Sequence, residues 1–367
     1  MKTLKISAII AIFCLCFIHS YSQDLTKKAI KVRHITDSIG YSNSAEKIEA
    51  FLKKVNEKQG NDLAKVRKNT SINENSSWKV AISPHDDYSY VGYLYPAIFE
   101  NISSPLVLIF GVCHKAKQFG LENKIIFDSF NSWCAPYGNL AISSLREMLQ
   151  EKLPKEFYVI NDSVQQIEHS VEALIPLLQY YNKNVKIVSI LVPYMSFDKM
   201  KEISKFLTST ILKYLQKNKL EWGKDFSILI SNDAVHYGDE DWGGKNYCRF
   251  GTDSAGYKKA INFDKEIIRH CFEGNISLNN IQKFINYTVQ EEDFREYKWT
   301  WCGRYSIPFG LLTAYQLQEL LKIKLINTFI GYSTSIEHPP LKLSDAIGTT
   351  APANLHHWVA YAAIGWK

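Results

Sequence analysis

Five apolar runs of strand length recur along the chain, with amphipathic stretches between them. They are LVLIFGV (106–112), VKIVSILV (185–192), FSILISNDA (226–234), LINTFIGYS (325–333) and WVAYAAIGW (358–366). Each is nearly continuous in Val, Ile, Leu and aromatic residues. Such runs suit strands covered on both faces rather than strands with one wet side. Segments 44–58, 170–181, 198–218, 256–274 and 310–322 instead repeat apolar residues at helical spacing, and Ser44 is an apt N-cap for the first of them. Strand alternating with helix predicts an α/β fold: a central mixed, largely parallel sheet flanked by helices. The polar stretch 57–75 reads as a surface connection with room for one more helix. No repeat, low-complexity tract or Pro/Gly-rich linker divides residues 23–367, so they are expected to form a single domain. With 46% hydrophobic and 22% charged residues the chain is globular in type.

Residues 1–22 read differently. Lys2 and Lys5 precede the apolar run ISAIIAIFCLCFI, and HSYSQ follows with Ser20 and Ser22 at small positions. The run is short for a membrane span, so a secretory signal peptide is expected, with an uncleaved N-terminal anchor as the other reading. Phe13, Cys14 and Leu15 before Cys16 do not make a lipoprotein site. The expectation is a soluble exported product, periplasmic or secreted, with no membrane attachment after cleavage. Loss of those two lysines and no acids takes the formal charge from +6 to +4. The remaining positive residues are dispersed, so no nucleic-acid surface is expected. Two of the seven cysteines lie in the leader, leaving Cys113, Cys134, Cys248, Cys271 and Cys302. An odd set with no CxxC is neither a disulfide scaffold nor a zinc ribbon.

In open α/β sheets, sites form beyond the carboxyl ends of strands. WKVAIS is followed by Pro84-His85-Asp86-Asp87, LVLIFGV by Cys113-His114, and FSILIS by Asn232-Asp233 and then His236. Two further stretches add Glu168-His169 at a helix start, and Cys302 with Arg304 in a loop leading into a helix. Neutral imidazole and thiolate are ligands for zinc, copper and iron, so two histidines and a cysteine with an open position would make a metal centre. Asp233 and His236 would then orient or move protons. Each residue also has a plainer reading. Asp86 and Asp87 cap a turn; His169 begins a helix; the cysteines, Cys302 included, pack as small apolar groups. Tyr88, Tyr90 and Tyr237 either wall a ligand cleft or fill the core.

In order, SPHDDYSYVG, LIFGVCHK, CAPYGNLAIS, IEHSVEALIPLL, VKIVSILVP, ISNDAVHYG and CGRYSIPFG resemble the Memo family. That family includes the mammalian mediator of cell motility and bacterial relatives known as protein B of the AmmeMemoRadiSam system. The C-terminal WVAYAAIGW resembles the family's last strand, and IGYSNSAEKIEAFL its opening. The resemblance implies a fold like that of the class III extradiol dioxygenases. It implies metal ligands at His85, His114 and Cys302, and site residues at Asp233, His236, Glu168 and His169. It also implies iron or copper, with zinc as a further candidate, and an influence on redox events without a defined reaction. The chain departs from the family in three places. Asp86-Asp87 stand where a small pair is usual, adding ligands, repelling an acidic substrate or favouring a harder cation. Lys115 stands where a second histidine is frequent. The export signal is unusual, which puts a shared radical-enzyme partner in question.

The sequence therefore leads to an exported Memo-like metal-binding protein, a metal-dependent redox enzyme if it is an enzyme. The alternatives are a non-catalytic module for a small molecule, a peptide or a phosphotyrosine-like group, a metal buffer, and a zinc hydrolase.

Overall fold

The apolar runs become the middle of one sheet. In the computed structural model, residues 30–37, 39–70, 77–85, 87–238, 246–344 and 347–367 are described. The expected leader 1–22 and Asp86 lie outside them. Val32–Lys367 pack as one unit. Its strands are β1 (Val32–Arg33), β2 (Val80–Ser83), β3 (Leu106–Val112), β4 (Ile125–Phe127), β5 (Ser132–Trp133), β6 (Leu140–Ile142), β7 (Tyr158–Ile160), β8 (Lys186–Val192), β9 (Phe226–Ser231), β10 (His236–Gly238), β11 (Asn327–Thr334) and β12 (His357–Trp366). Among the described residues they form one twelve-stranded sheet, with β1-β5-β6-β8-β3-β9-β2-β12-β10 as its main path.

The five strands β6-β8-β3-β9-β2 are mutually parallel. Next to them β12 runs antiparallel to β2, β10 and β11. The sheet is thus mixed and largely parallel at its centre, as the strand–helix alternation predicts. The two faces explain the unbroken apolar runs. Successive side chains of a strand point to opposite faces. Leu108 and Phe110 of β3 join one core with Ile190, Ile228 and Ile230. Val107 and Ile109 join the other with Ile187 and Leu229. Helices Phe197–Asn218, Ser254–Phe272 and Ser306–Leu321 supply the first core, while Ala45–Lys58, Gly60–Thr70 and Ile175–Tyr181 supply the second.

Helix Gly60–Thr70 occupies the stretch given room for an extra helix. The predicted helix 170–181 is split into His169–Glu172 and Ile175–Tyr181. Pro176 sits in the first turn of the second piece, where its missing N–H costs nothing. The tyrosine wall is corrected. Tyr88, Tyr90 and Tyr237 are buried in the cores; Tyr88 gives its hydroxyl to the Ala173 carbonyl, and Tyr237 gives its own to Gly251 at 2.9 Å. Among the described residues no helix is long and apolar enough to cross a membrane.

Candidate metal centre

Because β3, β9 and β2 are adjacent and parallel, whatever follows them emerges on one edge. His114 lies two residues past β3, Asp233 two past β9 and His85 two past β2. Two loops complete the edge. Ser170 clamps the segment Glu168–Glu172 by donating to the Val112 carbonyl (2.9 Å), and its own carbonyl accepts from Ser231 Oγ (2.6 Å). That approach needs Gly111: a Cβ there would meet Val171 Cγ2 at 2.4 Å and Leu191 Cδ2 at 2.8 Å. The loop carrying Cys302 is pinned to the end of β9. Cys302 N–H donates to the Asp233 carbonyl (3.1 Å), Gly303 N–H to Asn232 Oδ1 (2.9 Å) and Ser306 Oγ to the Ser231 carbonyl (2.9 Å).

The side chains meet. His114 Nε2 lies 2.8 Å from Cys302 Sγ, and His85 Nε2 lies 3.9 Å from the same sulfur. On its other side the His114 ring donates from Nδ1 to Glu168 Oε1 at 2.8 Å. Burial works against charge on His114, but the Cys302 sulfur and the Glu168 carboxylate outweigh it and hold the ring protonated well above the usual histidine range. The Nε2–S contact is therefore proton-bridged.

His85 behaves oppositely. Burial, with the neighbouring His169, His114 and His236, holds it neutral. Ser231 spends its hydroxyl proton on the Ser170 carbonyl, so at 3.0 Å it accepts from His85 Nδ1–H. The lone pair is then on Nε2, which faces Cys302 Sγ and, at 3.3 Å, Asp233 Oδ2. The His85 Nε2 lone pair, an Asp233 carboxyl oxygen and the Cys302 sulfur converge there, donor atoms of the kind that hold a cation.

The sequence leaves His169 as a site residue or a helix start. It begins the short helix, and its ring stacks on His114 at 4.4 Å between centroids and 15° between planes. Together His85, His114 and His169 bring one nitrogen each within 4.8 Å of one another. Lone pairs lie in the ring plane, and those of two stacked rings run side by side. The ring of His85 instead crosses that of His114 at 78°. His85 crosses the His169 ring as well, at 70°, so ring planes do not choose between the two stacked histidines; the 2.8 Å contact of His114 Nε2 with Cys302 Sγ is what sets His114 apart. His236, about a quarter exposed, places Nε2 at 3.9 Å from Asp233 Oδ2. Burial and the His114 and His169 charges push its pKa down to about 3. His169 is lowered to about 4 by burial and His114. Near neutral pH both rings are therefore neutral.

Asp87 is not beside the donors in function. Its buried carboxylate accepts from Thr350 N–H and Oγ1 (both 2.7 Å), Ala351 N–H (2.8 Å) and Tyr361 OH (2.9 Å). Its backbone is left-handed, φ 57°, which Asp tolerates better than most residues. Asp87 makes no side-chain cap to its own turn; its carboxylate is taken up by the distant Thr350, Ala351 and Tyr361, which leaves it no role as an extra ligand. The remaining four cysteines make no disulfide among the described residues. Burial pushes Cys113 and Cys271 up to about 12, as for packed thiols.

A family profile described as Memo-like protein matches residues 39–344. The chain belongs to the Memo family. A MEMO1 family protein of Aquifex aeolicus is 30% identical over 162 residues, 43% of this chain and 54% of the relative. One from Pyrococcus furiosus is 29% identical over 168 residues, 43% and 52% of the two chains. One from Pyrococcus horikoshii is 26% identical over 263 residues, 70% and 80%. The chain thus spans about half the length of the first two relatives it matches. The matched region contains all seven of this Memo chain's candidate site residues, from His85 to Cys302.

Proposed function

We propose that this Memo-like chain holds one transition-metal ion through His85 Nε2, His114 Nε2 and Cys302 Sγ and serves in redox chemistry outside the cytoplasm. The observation that carries the reading is the convergence of two imidazole nitrogens on one thiol, at 2.8 and 3.9 Å, from loops far apart in sequence. Donors at about 2.0 Å (imidazole) and about 2.3 Å (thiolate) from a common ion stand roughly 3.5 Å apart in tetrahedral geometry. The two separations straddle that value, so the donor set fits an ion with small side-chain adjustments. Soft and borderline donors favour iron(II) or copper, and zinc suits them as well.

A bound iron or copper ion would supply one-electron exchange with an oxidant or reductant at a coordination position that the three donors leave open. The chain's own groups supply the rest. Glu168 and Ser231 fix the two rings by holding their Nδ1 protons. Asp233 holds the backbone N–H of His85 at 3.2 Å and places its other oxygen 3.3 Å from Nε2. His236, its ring about a quarter exposed but its Nε2 buried beside Asp233, would orient a small molecule or peptide group bound at the edge of the site.

Elemental analysis of protein recovered from its own compartment tests the reading, alongside His85→Ala and Cys302→Ala. One iron or copper per chain, lost in both variants together with oxygen or reductant consumption, supports it. Stoichiometric zinc with activity independent of oxidant favours a hydrolase. A ligand retained after metal removal favours a binding module.

A further inference from the structure

Arg33 is 1% exposed, far from the donors in sequence, and absent from the reading of the site. All five of its N–H groups are used. Nε donates to the Gln165 carbonyl (2.8 Å), and Nη2 to those of Gln166 (3.2 Å) and Glu168 (2.8 Å). Nη1 donates to the His34 carbonyl (3.2 Å) and pairs with Glu172 Oε2. The guanidinium lies 4.3 Å above the Trp133 ring. Two of these acceptors, the Gln165 and Gln166 carbonyls, lie in the last turn of helix Asp162–Ile167, and the third, of Glu168, caps its end. A cation there also opposes the helix dipole.

The far side of Glu168 is held by the same segment. Glu172 is buried, and its Oε1 accepts from Thr36 N–H (2.8 Å), Asp37 N–H (3.0 Å) and the Tyr41 hydroxyl. Arg33, Thr36, Asp37 and Tyr41 therefore grip the chain on both sides of the Glu168-His169 step. Glu168 in turn holds His114 at two atoms, Nδ1 and the backbone N–H, each at 2.8 Å.

We propose that Arg33 is a positioning residue for the metal centre: by fixing the Glu168 backbone it sets where the Glu168 carboxylate stands and so where His114 Nε2 points. The bland alternative is a buried ion pair that serves only stability. The two differ in their demand on geometry. Lysine keeps the charge but offers three donors on a flexible stem, and it cannot reproduce a planar five-donor fork. A stability role tolerates that exchange better than a positioning role does. The inference rests on the metal-binding reading for one of its readouts and is independent of it for the other.

The test uses the whole chain carrying Arg33→Lys, with Glu172→Gln as the second variant, read in its place if the first does not fold. The first readout is cobalt(II) alone, followed by its thiolate charge-transfer absorption. The second is amide exchange of His114 and Ser170 in metal-free protein, because both N–H groups donate to the Glu168 carboxylate. Positioning predicts cobalt affinity weakened about tenfold or more, as for other groups that orient metal ligands. It also predicts faster exchange at both amides, in a variant whose melting point stays above the assay temperature. A folded variant that keeps wild-type affinity and wild-type exchange overturns the inference. If wild-type protein shows no cobalt–thiolate band, the metal reading falls instead, and exchange alone decides for or against Arg33.

Discussion

Glu168 is bound to His114 twice, through the ring Nδ1 and through the backbone N–H. Burial alone raises the Glu168 carboxyl, but the His114 charge outweighs it and holds the pKa at about 2, below the ordinary 4.5. A carboxylate depressed in this way stabilises the fold above about pH 4.5, and the contribution is lost as pH falls toward 2. The raised His114 contributes below its ordinary 6.5, and its share disappears as pH rises through the higher folded value. Glu168→Gln is expected to flatten the acid limb of a stability–pH series between 4.5 and 2 and to weaken metal binding about 10–100-fold. Chemical denaturation at stepped pH and metal titration check the two halves separately.

The proton between His114 Nε2 and Cys302 Sγ occupies the place an ion would take. Metal binding near neutral pH should therefore release about one proton per ion from the wild-type site. Calorimetry in buffers of different ionisation enthalpy measures that number. A value near zero would mean that the contact is not proton-bridged.

Asp264 offers a pH effect from behind the loop that carries Cys302. It is fully buried, and it accepts from Trp299 Nε1 (2.6 Å), Trp301 Nε1 (2.7 Å) and Tyr332 OH (2.9 Å). Burial lifts its pKa from 3.8 to about 6 against those bonds. Between these values the folded chain keeps a proton that the unfolded chain has shed, so stability falls as pH rises through the window. The full effect is on the order of 3 kcal/mol. Asp264→Asn should remove that slope, measurable as a melting temperature that no longer drops between pH 4 and 6.

Asp87 separates a fastening role from a ligating one. Asp87→Ala deprives Thr350, Ala351 and Tyr361 of their acceptor and should cost about 2–4 kcal/mol. Metal stoichiometry should stay at the wild-type value. Asp87→Asn keeps one acceptor oxygen and should cost less. A lost metal ion in a well-folded Asp87→Asn protein would return Asp87 to the ligand set.

The parallel sheet was legible because its central strands are buried on both faces, which leaves an unbroken apolar signature at β3, β8, β9 and β12. The site was legible for a related reason: parallel strands deliver their following residues to one edge, so asking what comes after each run led to His85, His114 and Asp233. The short strands β4, β5, β6 and β7 have two or three residues each, too few to show a period. The work of Arg33 was hidden because its acceptors are carbonyls more than 130 residues away, and a carbonyl has no letter in the sequence. Ser231 was hidden because a serine ending a strand looks like any other. Asp87 was misleading through its neighbours: a carboxylate beside His85 suggests a ligand until Thr350 and Tyr361, distant in the chain, are seen to use it.

Cys302 meets His114 across 188 residues and His85 across 217. No fragment containing only one of the three loops carries the donor set, and no locally folded intermediate brings it together. An ion captured there thus certifies finished tertiary structure. Its occupancy would serve as a gauge of how much of a preparation has folded correctly.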